Sequence, residues 1–253
     1  MARSGTAEQH QVAQAGLAAA TGPLVLAAWA HLLDLHDLKG SVPRLAAALR
    51  SILAQYGRAS ASAGLTYYRN ERRAAGVTGR VHLSLPPLPS NAEVTAAVEH
   101  VISPLYGAPD AQAERDARDA LASEVEQMVL DQSRQAVMSA AEADREAKGW
   151  ARVTEPGACS FCRLLATRGA VYGTKVSADF RAHTKQPNGS GGTCRCHVEP
   201  VFGHYEPTAQ ARMDLAEYKR LTDEFGKSGR AIHIAWRQHV EGRPVTGPLR
   251  KLA

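Results

Sequence analysis

The chain has 253 residues, enough for one large domain or two modest ones, and its 44% hydrophobic and 22% charged residues suit a folded protein. Its longest apolar run, Pro23–Ala30, is too short to span a bilayer, and the N-terminus lacks the layout of a signal peptide. We therefore expect synthesis in the cytosol and no membrane contact. The net charge of +5 is uneven, because residues 1–150 carry 14 Lys+Arg against 16 Asp+Glu and residues 151–253 carry 16 against 9.

The N-terminal part, residues 1–148, is predicted to be mainly helical. A helix is expected over Ala7–Ala20, and Pro23 would open a second helix ending at Leu33, because proline fits a first turn but not a helix interior. Ser41 is predicted to cap the following helix, which the stop signal Ala74-Ala75-Gly76 would end.

An extended, proline-rich spacer at about residues 80–90 separates this helix from the next. Its alternating first half predicts a short strand or an extended arm, and its Pro-Pro-Leu-Pro run predicts a stiff connection. Ser90 or Asn91 is expected to cap a helix through Val101, and the longest helix is expected over Asp110–Lys148. Small residues carry the later part of its apolar stripe, which favours close packing against another helix or a partner.

The composition changes at Gly149. Residues 149–205 are rich in turn-forming and β-forming residues, and they predict a small α+β module. Its candidate strands are Arg152-Val153, Val171-Tyr172 and His197–Phe202. Residues 206–253 would follow as a C-terminal helix, expected over Thr208–Phe225, and a basic tail. The predicted fold class is therefore mainly α with a small α+β module.

Basic residues dominate the end of the chain, where six of them face a single acid, Glu241. Such a tail suits contact with a polyanion, and a solvated basic tail is the alternative. The candidate DNA contacts are Lys227, Arg230, Arg237, Arg243, Arg250 and Lys251.

All four cysteines lie in one 38-residue window, as a C-x-x-C of Cys159 and Cys162 and a C-x-C of Cys194 and Cys196, with His183 between the pairs. Zn²⁺ takes four ligands of this kind, and clustered cysteines in a cytosolic chain are more often metal ligands than disulfides. We predict a structural zinc ion, with buried thiols or disulfides as alternatives. Two ligand sets stay open: the four cysteines, or a set in which His183 replaces one of the last two.

An enzymatic interpretation is a weaker alternative. Zinc deaminases combine H-x-E with P-C-x-x-C, but here His197-Val198-Glu199 follows the cysteine pair, and no proline precedes Cys159 directly. A metal-dependent hydrolase or deaminase would need an open coordination position and a catalytic glutamate, for which Glu155 and Glu199 are the nearby candidates. The sequence contains no phosphate-binding glycine loop, nucleophile elbow or H-E-x-x-H motif, and we expect no enzyme.

The residues from Gly149 onward resemble a known family. The pattern consists of Gly149-Trp150-Ala151-Arg152-Val153, Cys159-Ser160-Phe161-Cys162, Arg168-Gly169, His183, Cys194-Arg195-Cys196 and Pro200. It is similar to the core of phage minor head proteins of the Mu F-like (MuF) type, particularly the versions in phages of actinobacteria. The resemblance is specific over residues 149–203, and the long helical region before it fits more loosely.

The resemblance implies a minor virion component inside the head near the portal, which takes part in head assembly and in DNA packaging or delivery. The implied partners are the portal and major capsid proteins, with packaged double-stranded DNA as a further partner. The implied location is the virion, after assembly in the host cytoplasm. A zinc-binding nucleic-acid-binding protein outside a virion is the main alternative.

Overall fold

The computed structural model describes residues 5–107, 109–172, 195–226 and 229–245. Over these residues the chain is mainly helical with one small two-stranded sheet, which confirms the predicted fold class. The elements are α1 Gly5–Leu32, α2 Leu38–Ile52, α3 Arg58–Ala74, α4 Asn91–Ile102, α5 Ala111–Ala143, β1 Gly149–Val153, α6 Ser160–Ala166, β2 His197–Val201, α7 Ala209–Phe225 and α8 Arg230–Val240. A π-helical turn, Leu53–Gly57, joins α2 to α3, and a 3-10 turn, Ser103–Leu105, follows α4.

α1 is one continuous helix, so the predicted break at Pro23 is wrong. Its buried residues recur every three or four positions on both sides of the proline, with Ala18 and Thr21 before it and Val25 and Trp29 after it. α1 packs against α2, α3 and α5. This packing continues across the proline and outweighs the backbone hydrogen bond that the proline cannot donate.

The outer face of α1 is apolar. Val12, Leu24 and Leu26 are exposed there, and no Asp, Glu, Lys or Arg lies between Gln9 and Ala30. By length and composition alone α1 would therefore suffice to cross a membrane, a property that it shares with core helices of soluble proteins.

Asp37, not the predicted Ser41, caps α2. The Asp37 carboxylate accepts a hydrogen bond from the Gly40 backbone N–H at 2.9 Å. Ser41 is buried in the first turn, where its hydroxyl accepts from the Asp34 N–H at 2.8 Å and donates to the Asp37 carbonyl at 2.9 Å. Aspartate and serine are similarly good caps. Here Asp37 comes before Ser41 in the chain, and the helix begins directly after Asp37.

The predicted cap of α4 and the predicted start of α5 at Asp110 are confirmed. Ser90 forms a capping box with Glu93, in which the Ser90 hydroxyl accepts from the Glu93 N–H at 3.2 Å and the Glu93 carboxylate accepts from the Ser90 N–H at 2.8 Å. The Asp110 carboxylate accepts from the backbone N–H groups of Gln112 and Ala113. α5 then ends at Ala143, earlier than the predicted Lys148.

A buried ion pair explains why α5 ends early. Asp144 leaves the helix with an extended backbone, and its carboxylate accepts hydrogen bonds from Arg72 Nε at 2.7 Å and the Tyr68 hydroxyl at 3.0 Å. The other guanidinium nitrogens of Arg72 donate to the carbonyls of residues 77–79. The end of α3 and the end of α5 are therefore fixed to each other by charge.

The helices α1–α5 contribute to two separate buried clusters. The helical core joins the second half of α1 to α2, α4 and the first half of α5. The junction core joins α3 and the second half of α5 to β1, α6 and β2. The helical core includes Val25, Trp29, Leu45, Leu49, Val98 and Leu121. The junction core includes Tyr68, Ala136, Ala140, Trp150, Cys162 and Cys196.

β1 and β2 pair antiparallel, with Gly149 opposite Val201 and Val153 opposite His197. Two of the predicted strands are thereby confirmed, while Tyr172 contributes only an isolated bridge to Trp150. Gly149 has φ +134°, and a Cβ there would lie 2.8 Å from the Tyr172 carbonyl oxygen. Glycine is therefore required where the chain enters the sheet. The predicted alternative of a strand at 80–85 is not formed in the described part of the chain.

Candidate metal centre and its supports

Three of the predicted zinc ligands belong to the junction core or pack against it. Cys159 directly precedes α6, Cys162 lies in its first turn, and Cys196 directly precedes β2. Cys162 and Cys196 are members of the junction core, and Cys159 packs against it. Residues that are far apart in sequence therefore share one apolar surrounding.

The other two predicted ligands, His183 and Cys194, lie outside the described residues. Within residues 5–107, 109–172, 195–226 and 229–245, no three His, Cys, Asp or Glu side chains are grouped as a metal site requires. The zinc ion and its ligand set therefore stay predictions.

A buried arginine faces Cys162. Arg152 lies in β1, is almost completely buried, and directs Nη1 to the Cys162 sulfur at 3.3 Å. A guanidinium N–H is a charge-assisted donor, which suits a sulfur atom that carries negative charge. The sequence pattern predicts a strand at Arg152 but indicates no role for it at the cysteines.

Arg134 of α5 holds the entry to β2. Its Nε donates to the Cys196 carbonyl at 2.8 Å, and its Nη1 donates to Asp131 Oδ1 at 2.6 Å. Gln127 Nε2 donates to the same Asp131 oxygen at 3.0 Å. These side chains, all missed by sequence reasoning, lie on the buried side of α5 at helical spacing. Polar residues in that pattern are the signal that could have indicated them.

The turn before α6 is tied to β2 and to α1. His197 Nδ1 lies 3.3 Å from Glu155 Oε1, and Gln11 Nε2 of α1 lies 3.2 Å from the same ring. Three separate parts of the chain therefore meet at His197, and the two ends of the cysteine window are connected by polar contacts.

His10, a further buried histidine, supports this meeting point from α1. Its Nε2 lies 3.2 Å from Ser133 Oγ, and its ring stacks on Tyr67 at 4.5 Å. Burial and, secondly, the neighbouring His197 lower the pKa of His10 to about 3, so its ring is neutral at physiological pH. A cavity of about 320 Å³ lies between this part of α1, α5 and the start of β2.

α6 is held from its other side by α7 and α8. Arg163 Nε donates to Asp214 Oδ2 at 3.0 Å, and Trp236 Nε1 donates to the Ser160 carbonyl at 2.6 Å. The Arg163 guanidinium also lies 5.9 Å from the centre of the Trp236 ring. Within the predicted basic tail, residues 230–240 form α8, a helix that the sequence analysis did not predict, and Trp236 anchors this helix to α6.

The candidate DNA contacts divide between the neighbourhood of α8 and residues outside the described ranges. Arg230 and Arg237 are exposed on α8, and Arg243 is exposed just after it. Arg237 Nε lies 3.9 Å from Glu241, and Arg243 is also paired with Glu241. Lys227, Arg250 and Lys251 lie outside the described residues.

Similarity to a known protein family, rather than the fold itself, supports a phage-associated protein. A family model described as VG15 protein matches residues 1–223. Because this match spans most of the chain, the chain belongs to the VG15 protein family. No curated protein and no solved structure matches it.

Proposed function

We propose that this chain is a minor capsid protein of a tailed phage, which sits inside the head near the portal and assists head assembly and DNA packaging or delivery. The observation that supports the proposal most is that the family match includes both the helical region, residues 1–148, and the α+β module with the cysteines, residues 149–205, called the cysteine module below. The MuF-like motif pattern lies in the second of these regions. The partners would be the portal and major capsid proteins.

We propose a structural role for the module and no catalytic one. Cys162 and Cys196 are buried in the junction core, and a site of this kind suits a zinc ion whose four positions are all filled by protein. The ligands would be Cys159, Cys162 and Cys194, with His183 or Cys196 as the fourth. Arg152 would donate to the sulfur of Cys162, and Arg134 would hold the backbone at Cys196, as outer groups do in metal sites.

A phage carrying this gene tests the function directly. Deleting the gene is expected to leave portal and major capsid proteins assembling, but to reduce the yield of DNA-filled heads. The purified chain is expected to co-purify with the portal protein when the two are co-expressed. A deletion phage with a normal yield of infectious particles, and no association with portal, would contradict the proposal.

Elemental analysis tests the zinc proposal separately. The purified chain is expected to hold about one zinc ion, as one four-ligand site requires. The double variant Cys159→Ser/Cys162→Ser should lose the metal, and residues 150–205 should unfold. Hydrogen exchange of the backbone amides measures this unfolding. Ser160→Ala is the matched control, because it lies between the two cysteines and its carbonyl, which accepts from Trp236, is retained. A double variant with full stability, and a wild type without metal, would refute this part.

DNA contact is the last part of the proposal, and the salt dependence of binding tests it. The slope of log K against log salt concentration is negative for DNA binding. In Arg230→Gln/Arg237→Gln it should become less steep by roughly 0.9 for each phosphate that the variant no longer neutralises. Arg220→Gln is the control, because Arg220 already pairs with Glu217 at 2.7 Å and with Glu224 at 3.0 Å. An equal slope in all three proteins would exclude α8 from DNA contact.

A further inference from the structure

We infer that the exposed face of α3 binds the phosphate backbone of double-stranded nucleic acid without sequence preference. The inference deepens the proposed DNA contact, because it names a surface for that contact on a helix other than α8. Its test uses the purified chain alone, so its failure is distinguishable from a failure of the proposed role in the virion.

The charge along residues 38–90 is strongly one-sided. This stretch contains seven arginines and one lysine but a single acid, Glu71. The overall balance of residues 1–150 hides the surplus, because twelve of the 16 acids of that half lie after residue 90. Glu71 accepts a hydrogen bond from the Thr6 hydroxyl of α1. The helix α3 lies in the middle of this basic stretch.

Three arginines of α3 lie on one exposed side of the helix. Arg58, Arg69 and Arg73 are exposed, and Ser62 and Thr66 are exposed between them. Successive members of this set are three or four residues apart, which places them on one side of a helix. From the first to the last, they span about 22 Å at 1.5 Å per residue. We call these five side chains the basic face of α3.

The arginines of the basic face have no carboxylate partner among the described residues. In contrast, Arg72 of the same helix is buried and pairs with Asp144 at 2.7 Å. On the other candidate surface, Arg237 and Arg243 both pair with Glu241. Phosphate groups that bind the basic face therefore need not displace an internal anion, as they would at Arg237 and Arg243.

The other side of α3 is fixed to the rest of the molecule. α3 packs against α1 and α5, and Leu65, Tyr67 and Tyr68 are buried there. The arginines are therefore presented by a helix that is already held in place. Binding then orders only their own side chains, which limits its entropic cost.

The composition of the basic face favours a phosphate backbone over other anionic surfaces. Guanidinium groups bind phosphate through two parallel hydrogen bonds, and serine and threonine hydroxyls are common donors to phosphate oxygens. A helix that lies on an anionic membrane needs large apolar side chains as well. Apart from the basic face, only Ala59 is exposed between Arg58 and Arg73. The face therefore lacks the apolar anchor that a membrane surface requires.

The side chains of α3 also favour a duplex over a single strand. Proteins that bind single strands stack the bases on aromatic side chains. The two aromatic residues of α3, Tyr67 and Tyr68, are both buried. Contacts to phosphates fix the position of a protein on a duplex but carry no sequence information. We therefore expect binding that does not depend on the base sequence.

Binding of the purified chain to a duplex of about 30 base pairs, measured over a range of salt concentrations, tests the inference. The slope of log K against log salt concentration should be negative. In Arg58→Gln/Arg69→Gln/Arg73→Gln it should become less steep by roughly 2–3, at roughly 0.9 for each phosphate that is no longer neutralised. The corresponding triple Lys variant should keep the wild-type slope, because it keeps the charge. An unchanged slope in the triple Gln variant overturns the inference.

Arg115→Gln/Arg212→Gln/Arg220→Gln is the matched control. It removes the same charge from exposed arginines on other helices, each of which already donates a hydrogen bond to a neighbouring group. Its slope should differ from that of wild type by less than roughly 0.9, less than one phosphate contact. An equal loss in the two triple Gln variants would show attraction by the overall charge alone, and would overturn the assignment to α3.

Three further ligands identify the kind of anion. Phosphatidylserine vesicles, polyglutamate and a single strand of the same length should each bind at least about tenfold more weakly than the duplex at equal salt. Vesicles or polyglutamate that bind as tightly as the duplex would overturn the assignment to nucleic acid. A single strand that binds as tightly, or two duplexes of different sequence that bind unequally, would overturn the assignment to a duplex backbone.

Discussion

The helical core and the cysteine module are stabilised by different kinds of contact. Leu45, Leu49, Val98 and Leu121 in the helical core are buried aliphatic side chains that pack at regular helical spacing. The module is instead positioned by side chains that reach in from other elements. These are Arg134, which donates to the Cys196 carbonyl, Trp236, which donates to the Ser160 carbonyl, and Asp214, which accepts from Arg163 of α6.

The difference shows what each region needs. Aliphatic packing stabilises a helix assembly but tolerates volume-conserving changes. Hydrogen bonds and ion pairs have directions, and they hold a backbone segment in one position when they are fully satisfied. A module that must present several ligands to one point needs the second kind of contact.

The largest expected effect comes from the ion pair where the two regions meet. Asp144→Ala leaves the Arg72 guanidinium buried without its carboxylate, since the two side chains are only 9% and 4% exposed. We expect the free energy of unfolding to fall by about 3–5 kcal/mol, measured by urea denaturation.

Asp119→Ala is the matched control, because Asp119 pairs with Arg118 at 3.0 Å but is 66% exposed. This change should lower the free energy of unfolding by less than about 1 kcal/mol. Equally small losses in the two variants would show that the junction does not depend on buried charge.

Replacing a glycine inside a helix by alanine usually stabilises the protein. The close approach of α3 and α5 predicts the opposite effect at Gly64. A Cβ on Gly64 would lie 2.7 Å from Ser133 Oγ and 2.8 Å from the Ser133 carbonyl oxygen. Gly64→Ala should therefore lower the free energy of unfolding by about 1–3 kcal/mol through overpacking. Gly16→Ala in α1 meets no atom within 4 Å, and it should raise this free energy by about 0.5–1 kcal/mol. Thermal unfolding of both variants measures the two changes. If the free energy of unfolding changes in the same direction in both variants, the close contact at Gly64 is disproved.

A smaller change addresses the helical core alone. Ser90→Ala removes the capping box of α4 and should lower the free energy of unfolding by about 1 kcal/mol. Hydrogen exchange should increase in the first turn of α4 and stay unchanged in α6. Ser51→Ala, which removes only an exposed hydroxyl contact to the Ala47 carbonyl, serves as the control. Faster exchange in α6 after Ser90→Ala would mean that the two regions are not stabilised separately.

The smallest expected effect is a pH dependence at Asp144. Burial opposes ionisation there, but hydrogen bonds from Arg72, the Glu146 N–H and Tyr68 outweigh it, so the pKa of Asp144 lies below its ordinary value. The stabilisation is therefore complete above the unfolded pKa of about 3.9 and is lost as the pH falls through the folded pKa. In urea titrations the difference in free energy of unfolding between wild type and Asp144→Asn should shrink at low pH. A difference that stays constant down to low pH would contradict a stabilisation by the ionised Asp144 carboxylate.

The elements that follow from local signals could be predicted from the sequence. The cap Ser90, the stop at Ala74-Ala75-Gly76, and the starts of α5 at Asp110 and of α7 at Thr208 are all local, and the structure confirms them. Short β-forming runs on either side of the cysteine window indicated the strands β1 and β2, but not that the two strands pair with each other.

Two of the errors, at Pro23 and at the end of α5, have a common physical origin in long-range contacts. Pro23 lies inside α1 because packing continues on both sides of it, and α5 ends at Ala143 because Asp144 pairs with Arg72. Arg134 and Trp236 act on residues more than sixty positions away in sequence. Neither periodicity nor capping rules contain such information.

Quantitative mass spectrometry of purified particles tests the central claim most directly, that this member of the VG15 protein family is a minor component of the phage head. We predict peptides of the chain in DNA-filled particles or their precursor heads, at far fewer copies than the major capsid protein. Absence of the chain from particles at every stage of assembly would contradict the account.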